Sequence, residues 1–472
     1  MHSQFHFLML TVEKIGGTSM SQFDQVLDNI IQIQNPHVQK YNRIFVVSAY
    51  SGVTNWLLEH KKTGDPGVYN YFLSGEDFSE PLYALLERLK DINKDLEPLG
   101  LNLKVANDFI KERIEQARTM LKSLSQVLAS GYVLEKDIHL AAREILASIG
   151  EAHSAFNSTN ILNERGVATR MVDLCGFHDN IAYTIDQRIH HGLKGIDFTK
   201  EICIATGYTK GTEGIMRAFD RGYSEVTFSK IAVEVKADEA IIHKEYHLSS
   251  ADPGIVGVEN CVPVGLTNFI VADQLADIGM EAIHPKAAKP LELAGINIRI
   301  KNTFEPYHAG TLISKDYQSP TPKVEIVSGS NHMLAVEIHD PLMVSEVGYD
   351  ARIMEFFMRY GISYVLKSTN ANSITMVVWD TVRAREMVEV LKENFYQVHC
   401  IEAAMVCAMG TNLSGPGFLY RATKALYENG INIECYGQSL MQVNLQFVIL
   451  RPSYKDAIRA LNASLCAGNA NK

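Results

Sequence analysis

A lysine, two glycines and two hydroxyl residues, KIGGTS over 14–19, stand between an apolar run and a helix-like run in this 472-residue chain. A strand that turns through glycines into a helix aims several backbone N–H groups at one point, and the helix dipole adds partial positive charge there. Such a point binds anions. Gly16 and Gly17 carry no side chain to hold a phosphate away, Lys14 supplies a full positive charge, and Thr18 and Ser19 offer hydroxyls or a helix cap. The segment lacks the GKS or GKT ending of a P-loop. A purely structural turn explains the same letters.

A second turn, SAYSGVTN over 48–55, sets Thr54 near a helix start, where its hydroxyl serves either as a cap or as a ligand contact. Glu151 follows Gly150 inside a helical run; such an acid is commonly just solvated, but the glycine lets another group approach closely. Arg221 precedes a glycine and a helix start, where its forked donors suit a carboxylate, and Glu225 lies one turn further on.

The elements that must hold these residues read as α/β. Short apolar runs, RIFVV (43–47), ICIATGY (202–208), EAIIH (239–243) and GINIRIKN (295–302), are flanked by glycine turns and helical text. Residues of about 80–160 read as a helical insertion, with apolar side chains at three- and four-residue spacing. Near SPTP (319–322) proline and serine mark a linker. Beyond it, GYDARIMEFFMRYGIS (348–363) aligns without a gap over GFLYRATKALYENGIN (417–432), which predicts two copies of a small ferredoxin-like βαββαβ module.

Composition narrows the partners. Lys and Arg number 44 against 54 Asp and Glu, a net charge of −10, which disfavours nucleic acid and anionic membrane surfaces. Seven cysteines without CxxC spacing point to a reducing compartment. MHSQFHFLML is too short for a signal peptide and no long apolar span follows, so the sequence predicts a soluble, cytoplasmic protein. Residues 1–8 read as an extension before the first strand.

Taken together, KIGGTSM, VVSAYSGVTN, SIGEAHS, FDRGYSEVT, SSADP (249–253), GMEAIHPKA (279–287) and the paired C-terminal modules resemble the aspartate kinases of the amino acid kinase family. The runs EKIGGTSMS, FVVSAYSGVTNWLLEHKKTG, LASIGEAHSAFNS, DRGYSEVTF and AIIHKEYHLSSADP are similar to the specialised forms associated with ectoine biosynthesis. The resemblance implies an αβα sandwich over 9–318 with the helical insertion, then ACT domains over 323–398 and 400–468. It implies transfer of the γ-phosphoryl group of ATP, with Mg²⁺, to the side-chain carboxylate of L-aspartate, giving 4-phospho-L-aspartate. Lys14, Arg221 and Glu225 match catalytic positions; Thr54, Glu151, Arg221, Gly222 and Ser224 match the substrate set; Lys14, Gly16, Gly17, Ser19, Lys244, Glu245 and Asp252 match the nucleotide set.

The chain also departs from the family pattern. Gly254 follows Pro253 where many relatives carry arginine, and Glu281 stands where many carry lysine. The effector segment reads STNANS, with Ser368, Thr369, Asn370 and Asn372; loss of an acid there predicts weak or absent inhibition by lysine. The resemblance implies a homodimer built through the ACT modules, and a chain of 472 residues is expected to leave no room for a fused homoserine dehydrogenase. Two other functions compete: a kinase for another carboxylate such as glutamate, and a non-catalytic amino-acid-binding regulator.

Overall fold

In the computed structural model, described for residues 9–466 apart from 33, 36, 61, 62, 178, 220, 221, 281 and the side chain at 218, the chain divides into two compact units. The first comprises residues up to His247 together with Lys286–Gly310. The second comprises Leu248–Pro285 and Thr311 onward. Two positions singled out in the sequence, Arg221 and Glu281, lie outside the described residues, as do residues 1–8.

The first unit is built on parallel strands: β1 (Thr11–Ile15), β2 (Arg43–Val47), β3 (Thr169–Val172), β4 (Ile202–Thr206), β5 (Glu239–Lys244) and β6 (Asn297–Asn302), in the spatial order β3-β4-β2-β1-β5-β6. Every residue of β2 and β4 is buried, as both faces of a covered parallel sheet require. In register, Lys14 stands beside Val46 of β2 and Ile242 of β5. The chain therefore leaves β1, β2, β4 and β5 at one edge, the carboxyl edge, where open parallel sheets bind ligands.

Helices follow those exits or cover the faces: α1 (Gly17–Met20), α2 (Val53–Leu57), α3 (Ser79–Leu96), α4 (Leu103–Ser130), α5 (Glu135–Glu164) and α6 (Tyr223–Glu234). The periodic text of 80–160 forms α3, α4 and α5. From Leu146 to Ala155 every residue of α5 is buried, so this helix runs through the interior rather than along a wet surface. Gly150 belongs to that passage: a Cβ there would stand 2.7 Å from the Ala49 Cβ and 3.0 Å from Val53. The close approach that this glycine permits is that of the turn after β2 and of α2, not of a ligand.

In the second unit, β7 (Ile326–His339), β8 (Tyr364–Thr369), β9 (Ser373–Trp379), β10 (Gln397–Met409), β11 (Cys435–Gly437) and β12 (Asn444–Leu450) form one antiparallel sheet ordered β8-β9-β7-β10-β12-β11. It is covered by α7 (Tyr349–Tyr360), α8 (Val382–Asn394), α9 (Phe418–Glu428) and α10 (Tyr454–Leu465). The aligned repeat becomes α7 and α9, each entered through a glycine in the left-handed region, Gly348 at φ 85° and Gly417 at φ 90°.

The modules do not follow one another as separate beads. The second half of β7 (Leu334, Val336, Ile338) packs with Ile353, Phe357, Met387 and Leu391, whereas its first half (Val327) packs with Val406, Leu426, Phe447 and Leu461. The chain order of the second module ends on α10, and the first half of β7, beside Met405–Met409 of β10, fills the strand position the βαββαβ reading assigns to text after it. The SPTP segment is also tied down: Ser319 is buried, and its N–H donates to Thr411 Oγ1 at 3.0 Å. Among the described residues no helix is long and apolar enough to cross a membrane.

Candidate active site

Lys14, next to last in β1, extends its ammonium to within 3.6 Å of Glu225, the third residue of α6, and both side chains are mostly buried. Ser224 is buried beside it, and its hydroxyl lies 3.2 Å from that of Ser48, at the exit of β2. A glycine absent from the sequence-derived set makes this convergence fit. A Cβ on Gly207, just after β4, would meet the Ser224 Cβ at 2.7 Å, the Val47 carbonyl oxygen at 2.8 Å and Glu151 Oε1 at 3.0 Å. The text ATGY carries the same strand-then-glycine signal as KIGG, so it was open to reading.

Glu151 is 3% exposed, and its Oε2 has no hydrogen-bond partner. Burial pushes its carboxyl well above the ordinary carboxylate range, against the opposing pull of the Lys14 charge. A buried acid without a partner is costly to keep. It marks a place where a cation would be welcome.

The other expected residues divide. Thr54 is the second residue of α2 and half-buried; the N-cap is Gly52, so the Thr54 hydroxyl does not cap this helix. Gly222 is the N-cap of α6. Gly16 has room around it, its nearest neighbour being the His243 carbonyl oxygen at 3.8 Å from a built Cβ, whereas at Gly17 a Cβ would collide with the Ala49 carbonyl oxygen at 2.7 Å. Gly17 thus answers to backbone crowding. Ser19 is fully buried and its Oγ lies 2.9 Å from Thr303 Oγ1, which ties α1 to the end of β6.

Lys244 closes β5, where its carbonyl accepts the Thr303 N–H at 2.8 Å, and Glu245 follows, half-buried. Asp252 belongs to the second unit and caps the helix Pro253–Val256, accepting the Gly254 N–H at 2.8 Å. Ser368, Thr369, Asn370 and Asn372 occupy the β8–β9 hairpin of that unit. There the Asn370 N–H donates to the Ser373 carbonyl at 2.8 Å and its Oδ1 accepts the Ala371 N–H at 2.7 Å, turn-forming bonds both.

Behind the lysine, on the opposite side of β1, lies a charged cluster that the sequence reading missed. Arg43 Nε donates to Glu13 Oε1 at 2.6 Å and its Nη2 to Oε2 at 2.9 Å, while His243 Nε2 lies 2.8 Å from Oε2. All three are buried. Burial alone would raise the Glu13 pKa, but the Arg43 charge and the hydrogen bonds from His243 and Arg43 outweigh it and hold the carboxyl far below the ordinary range. Burial lowers His243 despite the carboxylate beside it.

The amino acid kinase family model matches residues 9–302. The aspartate kinase Ask_Ect of Stutzerimonas stutzeri is 45% identical over 463 residues, covering 97% of each chain. The chain belongs to the amino acid kinase family, with the aspartate kinases. Aspartokinase 1 of Arabidopsis thaliana, a chloroplastic protein, is 24% identical over 96% of this chain and 79% of its own. Two solved structures share the family fold: the aspartate kinase of Clostridium acetobutylicum, at TM-score 0.74 and 20% identity over 96% of this chain and 100% of that one, and aspartokinase III of E. coli in complex with aspartate and ADP, at TM-score 0.71 and 20% identity over 97% and 99%.

Proposed function

We propose that this family member transfers the γ-phosphoryl group of ATP to the side-chain carboxylate of L-aspartate, and the observation that carries the reading is the buried, unpartnered Glu151 carboxylate near Lys14 at the carboxyl edge of the sheet. An α-ammonium group satisfies that acid. Arg221, one residue before Gly222, takes a substrate carboxylate, with Thr54 and Ser224 as hydroxyl contacts. The acceptor carboxyl, with an ordinary pKa of about 3.9, is already ionised at neutral pH and needs no base. One of its oxygens bonds to the γ-phosphorus as the bond to the bridging oxygen breaks, and ADP leaves with that electron pair. Catalysis is then alignment of two anions plus neutralisation of charge on the transferred group, which Lys14 supplies.

From the first unit, Lys14, Gly16, Gly17, Ser19, Lys244 and Glu245 are read as the nucleotide-binding set. Mg²⁺, when bound with ATP, would be held in part by the Glu225 carboxylate and would add positive charge at the phosphates. The catalytic domain is read as 9–318 and the ACT modules as 323–398 and 400–468, joined in a cytoplasmic homodimer. Glutamate, one methylene longer, should turn over far less well than aspartate in an ADP-release assay; equal kcat/KM for the two would reject the substrate assignment.

Glu151→Gln tests the carboxylate directly. Losing a charged hydrogen bond of about 1.5–3 kcal/mol raises the aspartate KM by roughly 10- to 100-fold. The same change stabilises the ligand-free protein at pH 7, because the raised pKa means that the folded state disfavours the charge that the unfolded chain carries. That gain disappears as the pH falls below about 4.3, where the unfolded carboxyl is protonated too. Steady-state kinetics and urea unfolding at pH 7 and pH 4 read both effects.

The similarity to Ask_Ect, together with Asn370 and Ala371 in the β8–β9 turn, supports a kinase dedicated to ectoine synthesis that tolerates lysine. Lysine at about 10 mM should leave activity within about twofold; a coupling of typically 1–3 kcal/mol, read as half-inhibition below about 1 mM, would contradict it.

A further inference from the structure

A cavity of about 330 Å³ lies in the first unit, walled by Met120 of α4, Ala141 and Ile145 of α5, and Phe177. Three charged side chains face it, Glu144, Asp179 and Lys210. Glu144 accepts the Tyr208 hydroxyl at 2.6 Å and the Met216 N–H at 2.7 Å, both neutral donors. Lys210 Nζ donates to the carbonyl oxygens of Gly176 and Asp179, each at 3.1 Å, while the Asp179 carboxylate is gripped by Arg188 at 2.8 and 3.0 Å. Beside the Asp179–Arg188 pair, the cavity thus holds one acid and one ammonium whose hydrogen bonds go only to neutral groups, Glu144 drawn on by the Arg217 charge and Lys210 by that of Asp179, against apolar walls where incompletely paired charge is costly. Burial accordingly raises the Glu144 carboxyl and lowers the Lys210 ammonium.

We propose that this cavity is a binding site for an apolar α-amino acid, its carboxylate on Lys210, its ammonium on Glu144 and its side chain among Met120, Ile145 and Phe177. The volume lies within the range of small-molecule sites, which are mostly apolar with a few convergent polar groups. Aspartate fits this cavity poorly, since its second carboxylate would face the apolar wall. Glu144 sits two helical turns before Glu151 on α5, and its two bonds fix Tyr208 and Met216 in the segment that leads from β4 to α6. An occupant therefore biases the element that carries Ser224 and Glu225. The binding stands on geometry alone; only its coupling to catalysis rests on the kinase reading.

Calorimetric titration of the full chain with L-leucine tests the site, with Ala141→Phe to fill it and Lys210→Met to remove the ammonium. The native protein should bind L-leucine, and 4-methylpentanoate, which lacks the amino group, at least about tenfold more weakly. Each variant should weaken L-leucine by at least about tenfold and leave leucine-free turnover within about twofold. Thermal melts confirm folding, and if Ala141→Phe does not fold, Lys210→Met decides. No binding to the native chain at about 10 mM, or affinity unchanged in a folded variant, overturns the proposal. A protein inactive on aspartate would still give the calorimetric result, so failure of the kinase reading is distinguishable. Where turnover is present, leucine and aspartate should alter each other's affinity by the same factor; no such shift would remove the coupling and keep the site.

Discussion

Lys14→Ala is expected to lower kcat by about 10²- to 10³-fold, the loss typical of removing one preorganised donor from developing transition-state charge. The ammonium stands at the end of β1, 3.6 Å from Glu225 and close enough to Glu151 to pull on its titration. Its removal leaves two acids facing the incoming phosphates. The ATP KM should rise as well, because ground-state phosphate charge is also left unscreened. Because Lys14 is the counter-charge of the mostly buried Glu225, the variant should also lose stability, and circular dichroism checks that it is folded. Unchanged kcat in a folded variant would remove Lys14 from the chemistry.

Glu13→Ala should destabilise the protein by about 3–5 kcal/mol, because it leaves the buried Arg43 guanidinium without its counter-charge. The pH dependence has a definite sign. Glu13 has a folded pKa below its unfolded one, so its stabilisation is complete above about pH 4.3 and is lost as the pH falls toward the folded value. His243 is lowered, so the native protein already begins to lose stability as the pH drops through about 6.5, where the unfolded imidazole takes a proton. The gap between native and Glu13→Ala proteins should therefore persist at pH 5 and shrink below about pH 4. Urea unfolding from pH 8 to pH 3, followed by circular dichroism, measures it; a loss under about 1 kcal/mol at pH 7 would contradict the account.

Much of the fold was legible because its signals are local. RIFVV, read as a strand, is strand β2, and the glycines framing the repeat open α7 and α9 in the backbone region that glycine favours. Lys14, Glu151, Ser224 and Glu225 were legible as a set through resemblance, and the sheet's register explains their meeting, since β1, β2 and β4 end at one edge. What stayed hidden depends on pairings between distant residues. Glu13 meets Arg43 thirty residues on and His243 230 residues on. Nothing in the letters around Gly17 and Gly150 tells that each is crowded by the turn after β2 and not opened for a ligand. The contact of the Ser19 hydroxyl with Thr303, 284 residues on, is equally invisible in the letters. The sharing of β7 between two cores likewise follows from strand pairing across the modules, not from the text of either repeat.

The central claim is that phosphate passes from ATP to the side-chain carboxylate of aspartate. Incubating the purified full chain with ATP, Mg²⁺ and L-aspartate in the presence of hydroxylamine, which traps an acyl phosphate as the hydroxamate, measures this directly. Aspartyl β-hydroxamate is expected in step with ADP release, cut about 10²- to 10³-fold in Lys14→Ala and strongly reduced with L-glutamate. Folded native protein that binds aspartate yet forms neither ADP nor hydroxamate would contradict it and leave a family member that senses its ligand without turning it over.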